Sequence, residues 1–431
     1  MSTSSPPAAS VDIDIPAYCQ RLAASARKAG LDLASVPGRT RNLALRYIAQ
    51  ALSDATKSLQ AANAKDLDAG RRQGLPDAML DRLTLTDDRI QNMADAVRQI
   101  ADQPDPVGRV LEGRVLDNGI RLEKIRVPIG TVLIIFESRP NVTCDAAALC
   151  LKSGNAVILR GGKEAALSNA AIAECVQQGL AKAGLSDQAV QLVNTPDRAA
   201  VGELLKLDQL LDVCIPRGGE SLIRAVVEQA RIPVIKHYTG NCHVYVDAHA
   251  DPDLAHAICL NAKTQRTGVC NAAETILFHQ DAVTSGTVKR IGEALAAAGV
   301  ELRADTRSMS VLPAAKPAAE SDWSEEYLDL IVALRVVDTL DDAVAHINRY
   351  GSKHTDAIVT DNLAAADRFV QTVDTANAMV NCSTRFSDGQ QYGLGAEIGI
   401  STDKLHARGP MGADDLCTYK WVARGNGQIR N

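Results

Sequence analysis

Cys270 is the residue whose type and setting best suit covalent chemistry in this 431-residue chain. It stands in Lys263-Thr-Gln-Arg266-Thr-Gly268-Val-Cys270-Asn-Ala-Ala-Glu-Thr275-Ile-Leu-Phe278. The apolar spacing from Pro252 to Ala262 predicts a helix, Gly268 a polar connection, and the run Thr275 to Phe278 a strand. A cysteine at such a junction faces either a core or a cleft. Free cysteines mostly behave as small buried hydrophobes, whereas nucleophilic ones are partly exposed in electropositive surroundings. Lys263 and Arg266 are the cations that would supply such surroundings. On this stretch alone both readings stand.

Two glycine turns are the next candidates. Leu159-Arg160-Gly161-Gly162-Lys163 places two glycines and two cations after an apolar run that predicts a strand. It is a plain turn with solvated charges, or else Arg160 and Lys163 hold an adenosine ribose, the arginine favouring a 2′-phosphate and hence NADP. Pro216-Arg217-Gly218-Gly219-Glu220-Ser221 opens a predicted helix, where backbone amides could face a pyrophosphate; turn geometry explains it equally well. The dinucleotide fingerprint Gly-x-Gly-x-x-Gly is missing, and Gly393-Leu-Gly395-Ala-Glu-Ile-Gly399 has the wrong spacing.

The elements that must position these residues follow a clear rhythm. From Asp14 to about Ile100 the pattern is helical, with Pro16 in a first turn and Gly30 where a helix is expected to stop. Asp102-Gln-Pro-Asp-Pro-Val-Gly108 breaks it. Residues 109–116 and 120–127 alternate around Asp117-Asn-Gly119, which predicts a two-stranded ribbon. Such a ribbon is marginal alone and needs a partner, either the strand-like Leu416 to Ala423 or another subunit. From Thr131 short apolar runs (131–136, 156–159, 190–193, 211–215 and 234–235) alternate with helical segments, the pattern of a doubly wound parallel sheet. A second α/β region begins at Asp251, with strands near Thr275 and Ile331 and helices at 285–298 and 340–349. The fold class is therefore α/β.

Composition excludes several function classes. A net charge of -6 with 23% charged residues offers no basic surface for nucleic acid. The ten cysteines (19, 144, 150, 175, 214, 242, 259, 270, 382 and 417) form no Cys-x-x-Cys pair, and the eight histidines no His-Glu-x-x-His. Reduced cytoplasmic thiols and no metal are expected. Residues 1–11 lack a signal-peptide pattern and are expected to be a disordered lead. No apolar run approaches the roughly 18 residues of a membrane helix.

Three longer runs carry a resemblance. Val337-Asp-Thr-Leu-Asp-Asp-Ala-Val-Ala-His346-Ile-Asn-Arg-Tyr350-Gly-Ser-Lys-His354-Thr-Asp356-Ala-Ile358, Phe136-Glu-Ser-Arg-Pro-Asn-Val-Thr143 and Glu397-Ile-Gly-Ile-Ser-Thr-Asp-Lys-Leu-His-Ala-Arg-Gly-Pro-Met-Gly412 are similar to characteristic runs of one family. From about residue 14 to 425 the chain resembles the aldehyde dehydrogenase superfamily and, within it, the gamma-glutamyl phosphate reductase (glutamate-5-semialdehyde dehydrogenase) family. The resemblance implies two doubly wound α/β domains and a small β-ribbon oligomerisation element. In this chain these would be a dinucleotide-binding domain at 12–108 and 127–240, a catalytic domain at 241–412, and a ribbon at 109–126 and 413–425.

The reaction implied is NADPH-dependent reduction of L-glutamyl 5-phosphate to L-glutamate 5-semialdehyde and phosphate, the second step of proline biosynthesis. Cys270 would be the nucleophile, attacking the acyl phosphate to leave a thioester that hydride then reduces. Negative charge on the carbonyl oxygen calls for donors already in place. The resemblance implies the backbone N–H of Cys270, with Asn141 as side-chain donor and Glu137 or Ser138 as alternative alignments. Glu326 resembles the glutamate that meets the nicotinamide ribose, beside Arg160, Gly161, Lys163, Gly218 and Gly219 as cofactor-binding residues. An α-carboxylate and a phosphate call for arginines; Arg139, Arg217, Arg385 and Arg408 are the candidates by loop position, each alternatively a solvated or structural arginine. His346 and His354 are read as structural at least as readily as catalytic.

Hydrolytic relatives resemble Glu-Leu-Gly-Gly where this chain has His237-Tyr-Thr-Gly240, which speaks against activation of water. A hydrolytic NAD-linked aldehyde dehydrogenase and a catalytically silent protein of the same fold are the alternatives. A homo-oligomer and a separate glutamate 5-kinase are the expected partners.

Overall fold

The computed structural model describes residues 14–430, so the lead expected at 1–11 lies outside the described residues. The chain forms two compact units: one of residues up to Pro216, Ala225–Val234 and the chain from Leu416 on, the other of Arg217–Arg224 and Ile235–Asp415.

The first unit begins with five helices, Ile15–Leu33, Gly38–Asp54, Thr56–Arg72, Asp77–Leu83 and Asp87–Asp102. Asp14 caps the first by accepting from the Ala17 N–H at 3.0 Å, and Pro16 sits in its first turn. Gly30 does not stop this helix, which runs on to Leu33. A Cβ at Gly30 would lie 3.2 Å from that of Ala156 and 3.4 Å from the Gly130 carbonyl. Glycine is there for close packing of helix on strand and not for a turn.

Behind these helices lies a four-stranded sheet in the order Val190–Leu192, Ala156–Arg160, Thr131–Phe136, Val213–Arg217. The Thr131–Phe136 strand is buried throughout, as a parallel strand covered on both faces should be. The run expected as a strand at 234–235 contributes only an isolated bridge from Val234 to Cys214. Strand order reverses between Thr131–Phe136 and Val213–Arg217, the place where doubly wound sheets open a ligand crevice at their carboxyl ends.

Val110–Val115 and Arg121–Pro128 form the expected antiparallel ribbon, turned at Gly119 with φ 84°. Its partner is the chain's own end: Cys417–Arg424 pairs antiparallel with Arg121–Pro128 from Cys417 opposite Pro128 to Arg424 opposite Arg121. The open choice left by the sequence is thus resolved within the chain. Val110, Leu111, Val115, Tyr419 and Trp421 remain exposed on this small sheet.

The second unit is built on seven strands in the order Lys316–Pro317, Glu301–Ala304, Ile331–Val337, Ala273–His279, Cys242–Val246, Thr355–Val359, Asn377–Val380. All six neighbouring pairs are parallel. The run 337–358 becomes the end of one strand, the helix Leu340–Tyr350 capped by Thr339, and the strand Thr355–Val359. Helix Pro252–Thr264 packs on one face over a core that includes Val244, Ile276, Phe278 and Val332. A short antiparallel pair, Gly399–Ser401 with Gly409–Met411, completes the unit. No described helix is long and apolar enough to cross a membrane.

Candidate active site

Cys270 lies in the turn between helix Pro252–Thr264 and strand Ala273–His279. Eight of the ten cysteines are buried; Cys270 and Cys382 are half-buried. Burial pushes the Cys382 thiol up, and drives those of Cys19 and Cys175 to about 11. The cysteine singled out from its sequence context is therefore also one of the two that are not buried.

The charge around it is not distributed as the sequence suggested. Lys263 is wholly buried, its Nζ 2.5 Å from Oε2 of the equally buried Glu274, so its cation answers a carboxylate and does not face Cys270. Burial pushes the Glu274 carboxyl up to about 7 and Lys263 down, against their mutual attraction. Because these residues flank Cys270 along the chain, their bond closes the base of the cysteine turn. Arg266 stays exposed, and Arg385 takes the place Lys263 was expected to fill. Burial and nearby Arg266 lower the Arg385 pKa, while the Cys270 sulfur is among the groups opposing them. The loop holding Arg385 is fastened beside Cys270: Thr384 Oγ1 donates to the Asn271 carbonyl at 2.7 Å, and Asn271 Nδ2 to the Ser387 carbonyl at 2.8 Å. Arg385 Nε donates to Gln265 Oε1 at 2.8 Å.

Gly240 lies directly against the backbone of Cys270. A Cβ there would come within 2.0 Å of the Cys270 carbonyl oxygen and 2.4 Å of its Cα, so only glycine fits. The Gly240 N–H donates to Glu326 Oε1 at 2.8 Å. Burial raises the Glu326 pKa, with that same hydrogen bond working against it. Three residues earlier, His237 is half-buried with Nδ1 2.7 Å from the Ile400 carbonyl oxygen. Cys270 Sγ and one ring nitrogen each of His237 and His354 lie within 4.8 Å of one another. The two signature histidines thus part ways. His346 packs against Trp323, Tyr350 and His243, where burial first, then neighbouring charges, holds it neutral with a pKa of about 2. His354 reaches Cys270.

The other arginines are placed differently. Arg217 lies 3.7 Å from Glu397, whose own pKa burial raises. Arg408 donates to Asp374 at 2.8 Å in a cluster with Lys353 and Lys404. Hydrogen bonding from Arg408 leads the effects that bring the Asp374 pKa down to about 2. Gly218 and Gly219 are exposed at the mouth of helix Glu220–Gln229.

In the first unit, two loops leave the carboxyl ends of adjacent strands and are tied together by a residue that no motif marked. Glu164 accepts from the Ser138 N–H at 2.8 Å and its hydroxyl at 2.6 Å. Burial opposes ionisation of Glu164, but these bonds and Arg160 outweigh it and lower its pKa. Arg160 turns back on its own loop, donating to the Gly161 carbonyl at 2.6 Å, while its buried Nε has no partner. Gly161 packs against Phe136 and Asn169, and Lys163 stands exposed beside it. Arg139 and Asn141 are exposed around the start of helix Asn141–Lys152, and the Asn141 amide donates to Asp145 at 2.9 Å within that helix. An unpartnered guanidinium nitrogen, an exposed ammonium and a glycine turn lie at the carboxyl end of a strand next to the one that borders the switch point.

Two parallel α/β units, one of them presenting a half-buried cysteine at a helix-to-strand turn, define the class, and a model of the aldehyde dehydrogenase family matches residues 8–319. The gamma-glutamyl phosphate reductase of Geotalea daltonii is 54% identical over 411 residues, covering 95% of this chain and 98% of that protein. The structure of the same enzyme from Thermotoga maritima has a TM-score of 0.93 at 41% identity, covering 96% of this chain and 100% of that one. The Saccharomyces cerevisiae enzyme has a TM-score of 0.54 at 32% identity, with coverage of 96% and 98%. The chain belongs to the gamma-glutamyl phosphate reductases, oxidoreductases of proline biosynthesis within the aldehyde dehydrogenase superfamily.

Proposed function

We propose that this chain reduces L-glutamyl 5-phosphate to L-glutamate 5-semialdehyde and phosphate with NADPH, through a thioester on Cys270. The observation that carries this reading is the setting of Cys270: a half-buried thiol beside Arg266 and Arg385, with a histidine where hydrolytic relatives resemble a glutamate. Attack of the Cys270 sulfur on the acyl carbon expels phosphate and forms the thioester. The backbone N–H of Cys270 receives the oxyanion, a role supported by a turn that is clamped by Lys263 and Glu274 and pressed on Gly240. Arg385 attracts the anionic substrate, while Arg139 and Arg217 remain candidates for its carboxylate and phosphate. Arg408, bound to Asp374, fits a structural role better.

The cofactor-binding residues proposed in the first unit are Arg160, Gly161 and Lys163, and those proposed in the second unit are Gly218, Gly219 and Glu326. The chemistry NADPH supplies when bound is a hydride for the acyl carbon. Loss of the Cys270 sulfur from that carbon then frees the aldehyde.

In the reverse direction, purified protein with glutamate 5-semialdehyde and NADP should form NADPH only when phosphate is present, followed by absorbance. Turnover without phosphate would instead mean that water attacks the thioester, as in a hydrolytic aldehyde dehydrogenase. For the cofactor, Arg160→Ala with Lys163→Ala should raise KM for NADPH about tenfold or more and leave that for NADH nearly unchanged, because a hydrogen bond to a charged group is worth ~1.5–3 kcal/mol. Equal losses for both dinucleotides would remove the 2′-phosphate role.

The exposed apolar residues of the three-stranded ribbon support a homo-oligomer built through it. The scattered free thiols support a cytoplasmic location, and a separate glutamate 5-kinase would supply the labile substrate.

A further inference from the structure

The two imidazoles that meet Cys270 have different partners at Nδ1. At His237, Nδ1 faces the Ile400 carbonyl oxygen at 2.7 Å, so Nδ1 carries the hydrogen and Nε2 presents a lone pair. At His354, Nδ1 lies 2.9 Å from Thr355 Oγ1, which also accepts from Asn377 Nδ2 at 3.3 Å, and 3.7 Å from Cys242 Sγ. With the Thr355 hydroxyl hydrogen given to Nδ1, the hydrogen of His354 is on Nε2, a buried atom with no hydrogen-bond partner. His354 is wholly buried, and desolvation lowers its pKa to about 4, so it stays neutral. His237 is half-buried.

We infer that His237 is the catalytic base that takes the Cys270 thiol proton and returns it to the departing phosphate, while His354 is a positioning residue whose Nε2–H steadies the sulfur as it becomes anionic. As the bond from sulfur to the acyl carbon forms, the thiol proton passes to His237 Nε2. The bond from that carbon to the phosphate oxygen breaks, its electron pair leaves with the oxygen, and His237 protonates it, giving hydrogen phosphate and a neutral imidazole. After hydride reduction the bond from carbon to sulfur breaks with its electron pair on sulfur, and solvent supplies the proton that restores the thiol. One proton is consumed per turnover, as the reduction requires. This assignment rests on the Cys270 thioester reading.

The test uses the full chain in chelator-treated buffer, since two imidazoles and a thiolate are also donor types that zinc takes. In His237→Ala, kcat should fall about 10²-fold and iodoacetamide labelling of Cys270 at pH 7 should slow in step, with added imidazole restoring part of both. His237→Gln keeps a donor for Ile400 and should show the same two losses without rescue, which guards against an alanine variant that fails to fold. Unchanged labelling in both variants, or a loss of kcat in the alanine variant that imidazole does not touch, would overturn the base role. Parent-like turnover in Cys270→Ser would overturn the thioester reading itself, and inactivity of that variant beside fully active His237 variants would overturn only the present inference.

Discussion

Cys270→Ala is expected to lower kcat by at least about 10³-fold, because the acyl group then has no sulfur to occupy. NADPH binding, followed by fluorescence titration, should stay at the parent value, since the proposed dinucleotide-binding groups keep their own local bonds. Of the other thiols, Cys242 is nearest in bonding terms, its Sγ reaching the Cys270 carbonyl oxygen at 3.1 Å, but it is buried and desolvation drives its thiol well up. A Cys270→Ala enzyme with turnover near that of the parent would end the covalent mechanism.

The second large effect concerns stability. Lys263→Met removes the partner of a fully buried carboxylate, and breaking a buried pair in this way costs about 3–5 kcal/mol. Urea unfolding should show this loss at pH 8. The loss should shrink toward acid, for the following reason. With its partner gone, Glu274 keeps a folded-state pKa raised above that of the unfolded chain, so its neutral form stabilises the fold fully below the unfolded carboxyl range. That contribution is lost as pH rises to about 7, where burial already places the pKa in the intact protein, and beyond. Replacing both residues, Lys263→Met with Glu274→Leu, should recover most of the stability, since well-packed apolar groups commonly match a buried ion pair. A single variant as stable as the parent at pH 8 would show that the pair does not hold the cysteine turn together.

Much of the architecture was legible because it depends on local rules. The alternation around Asp117-Asn-Gly119, the short apolar runs from Thr131 and the capped helix in 337–358 each declare themselves within a few residues. Where local rules misled, a distant neighbour was the cause. Gly30 reads as a helix stop but is a contact with Ala156 and Gly130. Lys263 reads as an activating cation but is held by Glu274, eleven residues on and across a turn. Gly240 passes as an ordinary turn residue until its missing Cβ is seen to make room for the Cys270 backbone.

The sequence by itself determined the fold class and the family and singled out Cys270, because residue types at fixed short spacings survive without coordinates. Tertiary structure decided which other groups stand with Cys270. His237, His354, Arg385 and Glu326 come from four separate segments, and His346, eight residues before His354 in the same signature, goes to a packed core instead. The convergence depends on the order and register of parallel strands joined by long crossovers, and spacing along the chain does not encode distances between segments that meet only through a sheet.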